Sequence, residues 1–476
     1  MNFEAYKLEI EKSSRKEVCE KALEKAKAVQ PHLNAMVTFV DYDDSHLETA
    51  NKDSYLYGLP VVLKDNVNTK GIRTTASSKI LDNYVPVYDA HVWTKLKEAG
   101  AILIGKASLD ELAMGGTNRT AHTGPVCNPY DTTRISGGSS GGSAVLVAAN
   151  VVPFAIGSDT GDSIRKPASL NGIVGVKPTY GRISRYGVIP YASSLDHVGY
   201  FTRSIEDAAK ALYLIAGRDD RDMTSSYEEV PDYFKNLNGD LNGKRIAVLK
   251  NVSDAVPNET ISNQFNALLE KMKAAGAIID EVELDENLVR TMLPAYHIIA
   301  NAEATANHSN LDGMRFGVQE EGDTMEEVMM NSRTKGFGKL LRQRFVIGSY
   351  CLSVDNQEKV FRKAQKVRRL IVDEYSKFFN DHDCVIALAA GSCAPYIENT
   401  ANDDMLSNEY LVAENHMVIN NFTGYPSMTM PLGMTDENMP IGINISTKPF
   451  TEQLLFNIGK GIEDITGLAD MYKEVA

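Results

Sequence analysis

At 476 residues, with 43% hydrophobic and 24% charged residues, the chain has the composition of an ordinary water-soluble protein, with length for about two or three domains or one large α/β unit. A formal net charge of −14 argues against a broad surface gripping a phosphate backbone, so any RNA would be held by a partner. Five cysteines (Cys19, Cys127, Cys351, Cys384, Cys393) without a C-x-x-C pair, a charged N-terminal segment and no apolar run near membrane-spanning length argue for reduced thiols in a cytoplasmic protein, against a disulfide scaffold, a zinc site or a membrane span.

Residues 2–30 carry helical spacing and many charges, and Pro31 is expected to end that run. The apolar run Leu59 to Leu63 reads as a buried strand. A helix over Ala90 to Ala99 stops at Gly100, and a strand over Ala101 to Gly105 follows. Ser108 with Glu111 three residues on has the pattern of a capping box opening a helix. Ser143 to Asn150 reads as a tightly packed helix and Val151 to Ile156 as a buried strand. Ser204 with Asp207 opens a helix ending near Gly217. The polar segment 218–243 suggests a linker or surface loop; beyond it come a strand at Arg245 to Leu249, a helix ending at Gly276 and a strand at Ile278 to Leu284. Strands alternating with helices indicate an α/β layered fold around a parallel or mixed sheet. The basic run Lys359 to Arg369, interleaved with Val360, Phe361 and Val367, reads as a solvated helix face rather than an RNA site.

The most informative stretch runs from Arg134 to Arg165, RISGGSSGGSAVLVAANVVPFAIGSDTGDSIR, with Ser139 and Ser163 24 positions apart in glycine-rich settings. Glycines free the backbone for tight turns and leave N–H groups exposed, as a nucleophilic serine and its oxyanion require. No histidine lies in the stretch, and His122 and His197 sit in no G-x-S-x-G elbow. Another base must therefore activate a serine. Lys64, closing the apolar run in GLPVVLKDNVNTKG, is a partly buried amine on this reading, and burial lowers a lysine's pKa into the useful range.

Together these blocks resemble the amidase signature family, with the match densest from Gly58 to Gly217. The resemblance implies one amidase domain over 1–476: an N-terminal helical segment 1–57, a catalytic core 58–217, and a C-terminal half 244–476 completing a large mixed β-sheet sandwiched between helical layers. It also implies a Ser–cis-Ser–Lys triad, with Ser163 as nucleophile, Ser139 as bridging serine after a cis peptide and Lys64 as base. The oxyanion hole would be the backbone N–H groups of Thr160, Gly161, Asp162 and Ser163. Asp162 departs from the family's usual glycine; aspartate tolerates positive φ, and Arg165 or Lys166 is near enough in sequence to neutralise it.

Within the family, the run Lys177 to Gly199 resembles the A subunits of glutamine-dependent aminoacyl-tRNA amidotransferases, although His197 stands where these usually have glutamine. That likeness implies a glutaminase feeding ammonia to the amidation of Glu-tRNA(Gln), with Asp-tRNA(Asn) as a further acceptor. Arg344 would hold the α-carboxylate of glutamine and Glu414 its α-ammonium, while Tyr296 would line the pocket. The chain itself would carry no cofactor or metal; a B subunit would hold tRNA, ATP and Mg, and a small C subunit would clamp the two. The rival readings are a stand-alone amidase acting on a small or acyl amide, and a non-catalytic scaffold silenced at Asp162. A phosphate-binding loop fails for want of the G-K-[ST] ending.

Overall fold

Short apolar runs without alternation can form strands covered on both faces, and Pro60–Lys64 is one: Val61 and Leu63 join one hydrophobic cluster and Val62 another. The computed structural model describes residues 1–399 and 405–475. Among them eleven strands form a single sheet: β1 (Met36–Phe39), β2 (Pro60–Lys64), β3 (Ile102–Ala107), β4 (Phe154–Asp159), β5 (Val174–Lys177), β6 (His197–Thr202), β7 (Arg245–Leu249), β8 (Ile278–Val282), β9 (Cys384–Leu388), β10 (Ser427–Met434) and β11 (Pro440–Ser446). Their order is β1-β3-β2-β4-β6-β5-β10-β11-β9-β7-β8. β2 runs parallel to both β3 and β4, and β7 parallel to β8 and β9; the other neighbours are antiparallel. This is a mixed α/β sheet.

The period-2 geometry of a strand divides the core in two. Phe154, Ile156 and Tyr200 face a large cluster with the helices His91–Glu98, Ile205–Ile215 and Glu286–Asn307. Ala155 and Phe201 face a second cluster, packed beneath the helices Arg15–Leu33 and Gly141–Ala148. The sheet lies between helical layers. Among the described residues all five cysteines are unpaired, and no helix is long and apolar enough to cross a membrane.

Several elements differ from the sequence reading. The run expected over 2–30 is two helices, Phe3–Lys12 and Arg15–Leu33, because the Ser14 hydroxyl accepts from Glu17 N (3.1 Å) and caps the second. Pro31 falls within that helix's last turn rather than ending it. The turn closes on Asn34, left-handed at φ 49°, whose N–H donates to Gln30 O. The helix expected after Ser108 is replaced by a short 3-10 turn, Glu111–Ala113, with Leu112 and Ala113 at φ 50° and 60°. Glu111 does not reach back to Ser108; its buried carboxylate accepts from Ser78 Oγ (2.7 Å) and from Gly338 N (3.0 Å), the N-cap of the helix Lys339–Leu352. The predicted strand Val151 to Ile156 lies later, at Phe154–Asp159, and the packed helix begins at Gly141 rather than Ser143. Segment 218–243 contains no helix or strand, yet it is strapped to the body by Arg182, which donates to the carbonyls of Glu228 and Glu229 and to the Tyr233 hydroxyl. In the basic run Arg368 turns inward to Phe422 O and Ser194; the other Lys and Arg side chains are exposed.

β2 and β3 are joined at their carboxyl ends by a buried ion pair. Lys106 Nζ lies 3.4 Å from Asp65 and donates to Val67 O (2.7 Å) and Thr74 Oγ1 (2.8 Å). Removing the ammonium would strand a buried carboxylate. Lys106→Met is therefore expected to lower the unfolding free energy by about 3–5 kcal/mol, read from urea denaturation; an unchanged midpoint would show that the pair does not stabilise this edge.

Candidate active site

Three adjacent strands, β3, β2 and β4, run parallel and end at one edge of the sheet. Residues leaving the carboxyl ends of parallel strands are brought together there, and Lys64 (last in β2), Asp110 (three residues past β3) and Ser163 (four past β4) all arrive in this way. Lys64 is fully buried. Its Nζ meets four oxygens: Ser139 Oγ at 2.8 Å, Ser140 Oγ at 2.8 Å, Ser158 Oγ at 2.9 Å and Ser158 O at 3.3 Å. Burial pushes its pKa down to about 7, against the opposing pull of Asp110, Asp159 and Asp196. Proton accounting then distinguishes the serines. The Ser140 hydroxyl donates to Ser158 O (3.0 Å), and Ser158 Oγ accepts from Asn66 Nδ2 (3.1 Å). A neutral amine has two protons to give and one lone pair. With the Ser140 proton committed, that lone pair is left to the Ser139 or the Ser158 hydroxyl.

The Gly138–Ser139 peptide is cis. Gly137 has φ +74°, and a Cβ on Gly138 would lie 2.0 Å from Asp110 Oδ2, so neither position admits a side chain readily. Asp110 also accepts from the N–H groups of Thr117 and Asn118, and its own N–H donates to Ser139 O (3.2 Å). The second turn is held by Arg165, fully buried. Its guanidinium pairs with Asp159 (2.9 Å) and donates to Gly161 O (2.8 Å), Asn421 Oδ1 (2.7 Å) and Met417 O (2.8 Å). Burial alone would raise the Asp159 pKa, but Arg165 holds it well below the usual carboxylate range. Carbonyl and N–H of a trans peptide point oppositely, so the grip on Gly161 O turns the Asp162 N–H away from Arg165. Among the described residues no protein acceptor takes the N–H groups of Gly161, Asp162 or Ser163. Ser163 itself is buried, and its carbonyl accepts from Ser140 N (3.1 Å), tying the two serine turns together.

Beside this turn lies a cavity of about 550 Å³ lined by Gly161, Asp162, Lys166, Tyr296, Arg344 and Glu414, among others. Arg344 comes from the helix Lys339–Leu352 and donates to Tyr191 Oη (2.9 Å); among the described residues it has no carboxylate partner. Tyr296 packs so closely on Gly161 that a Cβ there would lie 3.0 Å from its hydroxyl. Glu414 accepts from Gly391 N and Ser392 Oγ (each 3.0 Å) and pairs with Lys166 (3.1 Å). The Thr160 side chain lines a neighbouring cavity, with its hydroxyl on Asp196 (2.7 Å).

Asp162 has no positive φ, so the left-handed turn anticipated there is not formed and an aspartate fits without strain. Lys166 lies 3.6 Å from its carboxylate, whereas Arg165 is committed to Asp159. Burial raises the Asp162 pKa and Lys166 offsets part of that. His197 is buried with Nδ1 on Leu195 O (2.7 Å), and burial keeps it neutral, its pKa well below the ordinary value. Ser158 beside Lys64 and the Asp159–Arg165–Asn421 brace also build this site, and the sequence reading does not single them out. The clue to the brace is a charge pair six apart, Asp159 and Arg165, spanning the serine turn.

The family model described as Amidase matches residues 17–456. The A subunit of the glutamyl-tRNA(Gln) amidotransferase of Lactobacillus delbrueckii subsp. bulgaricus is 42% identical over 441 residues, covering 92% of this chain and 90% of that protein. Its counterpart from Oenococcus oeni is 40% identical over 470 residues, covering 96% and 94%. Among solved structures, the Thermotoga maritima A subunit of the same amidotransferase superposes with a TM-score of 0.83 at 33% identity, covering 100% of this chain and 98% of that one. The peptide amidase of Stenotrophomonas maltophilia does so at 0.81 and 26% identity, covering 97% and 96%. A family model spanning most of the chain, with relatives at 40% identity or more along its length, makes this protein a member of the amidase family.

Proposed function

We propose that this chain is the glutaminase component, the A subunit, of a glutamine-dependent aminoacyl-tRNA amidotransferase. It hydrolyses glutamine through an acyl-Ser163 ester and supplies ammonia for the amidation of Glu-tRNA(Gln). The observation that carries the chemistry is the buried Lys64 amine on Ser139 Oγ at 2.8 Å, next to a turn with three unclaimed N–H groups. The choice of this role over that of a stand-alone amidase rests on the relatives at 40% identity or more and on Arg344, a cation with no protein carboxylate among the described residues, in the cavity beside that turn.

In this mechanism neutral Lys64 accepts the Ser139 proton while Ser139 accepts the proton of Ser163, whose oxygen forms a bond to the side-chain amide carbon of glutamine. The carbonyl oxygen gains negative charge and is met by the N–H groups of the 160–163 turn. The relay then runs backwards: Lys64 returns a proton through Ser139 to the amide nitrogen, the C–N bond breaks, and ammonia leaves. Water attacks the ester by the same relay, releasing glutamate and restoring Ser163. Arg344 would take the α-carboxylate through its planar fork, a geometry suited to that group, with Tyr296 against the substrate's side. Partner B and C subunits would hold tRNA, ATP and Mg, in keeping with the acidic charge of this chain.

Ser163→Ala and Lys64→Ala are each expected to lower ammonia release from glutamine by at least about 10⁴-fold, and the double variant no further, since the groups act as one unit. Enzyme-coupled ammonia assays on the chain with its partner subunits read this; near-normal turnover in either single variant would end the proposal. The Lys64 base must be neutral to act, so kcat/KM for glutamine is expected to rise with pH through about 7 and then level. A profile flat from pH 6 to 9 would remove Lys64 from the role of base.

A further inference from the structure

Two carboxylates, Asp162 and Glu414, line the cavity that also holds Arg344, and Lys166 stands between them. They are not equivalent. Glu414 is already served by three donors, with Gly391 N and Ser392 Oγ on Oε1 and Lys166 Nζ on Oε2, and Lys166 donates as well to its main-chain carbonyl. Asp162 has a single ion-pair contact among the described residues, Lys166 Nζ at 3.6 Å, beyond hydrogen-bond range. Of the two, Asp162 has the acceptor capacity left for a ligand.

Charge points the same way. Two carboxylates and one ammonium leave this wall with one net negative charge, while Arg344 brings one positive charge without a carboxylate partner among the described residues to the same cavity. A zwitterionic amino acid matches that pattern, with its carboxylate on Arg344 and its ammonium on the wall. Without Lys166 the two carboxylates would repel and one would favour its protonated form. Position fits too. Asp162 directly precedes Ser163 and lines the cavity beside the serine turn, and in glutamine the α-nitrogen is only four bonds from the amide carbon that Ser163 would attack.

We propose that Asp162, rather than Glu414, receives the α-ammonium of the amino-acid substrate, and that Lys166 fixes this division by neutralising Glu414. Asp162 is then a specificity determinant for free α-amino acid amides rather than a lesion in the oxyanion turn. The inference rests on the glutaminase reading above.

The test uses the full chain with Ser163→Ala, so that ligands bind without turnover. Calorimetry compares L-glutamine with glutaramate, the same molecule lacking the α-amino group. The Ser163→Ala protein is expected to prefer glutamine by at least about 10-fold. Adding Asp162→Asn should abolish most of that preference by weakening glutamine alone, Asp162→Glu should restore part of it, and Glu414→Gln made together with Lys166→Gln, so that no freed ammonium moves onto Asp162, should leave it standing. Loss of the preference in the paired Glu414→Gln and Lys166→Gln variant, or its retention in Asp162→Asn, overturns the proposal. So does equal weakening of both ligands by Asp162→Asn, or no preference before either substitution. Failure of the glutaminase reading shows separately, as absence of ammonia release from glutamine by the chain with its partner subunits and Ser163 intact.

Discussion

An amine buried without a carboxylate in contact is the constraint around which this site is organised. Lys64 meets four neutral oxygens and no anion at hydrogen-bond distance, so burial outweighs the distant pull of Asp110, Asp159 and Asp196 and leaves the amine at a pKa of about 7. The neighbouring Lys106 is equally buried, but it has Asp65 at 3.4 Å. One lysine at this sheet edge has a counter-ion and fastens two strands; the other lacks one and can exchange a proton.

That arrangement depends on topology. Three parallel strands deliver Lys64, Asp110 and the serine turn to one edge, and glycine packing against Asp110 brings the Ser139 loop over the amine. The charged groups that do face one another in the interior, Asp159 and Arg165, brace the backbone: Arg165 holds Gly161 O and so orients the peptide whose N–H faces away from it. Glu111 plays a comparable part farther out, anchoring the N-terminus of the helix that carries Arg344.

Much of this was legible in the sequence where local signals agree with the tertiary outcome. The run ending in Lys64 has no alternation, so burial follows; Arg245–Leu249 and the Ser204-capped helix form where composition and capping place them. The reading fails where a side chain has a better partner far away. Ser108 and Glu111 have the spacing of a capping box, but a buried carboxylate bonded to Ser78 Oγ and Gly338 N does not bend back to a local N–H. The strands β9, β10 and β11 go unassigned in the sequence reading although turn residues such as Gly424, Pro426, Asn438 and Pro440 punctuate them. The Ser140 and Ser158 contacts depend on the pairing of β2 with β4, which the 94-residue separation of Lys64 and Ser158 puts beyond any local signal.

The same burial that lowers the proton affinity of Lys64 works against the fold. In the unfolded chain this lysine keeps its proton up to about 10.5, whereas in the folded chain it releases it near 7. Between those values the unfolded state binds more protons, so stability rises with pH; below about 7 the penalty is fully present and above 10.5 it is gone. At 1.36 kcal/mol per pKa unit it is on the order of 5 kcal/mol, comparable to the whole net stability of many domains. A sheet with helical layers over both faces offsets a deficit of that size because its gains are spread over a large core, whereas the deficit falls on one side chain. The deficit at Lys64 is thus offset by burial elsewhere in the core rather than by a partner of its own.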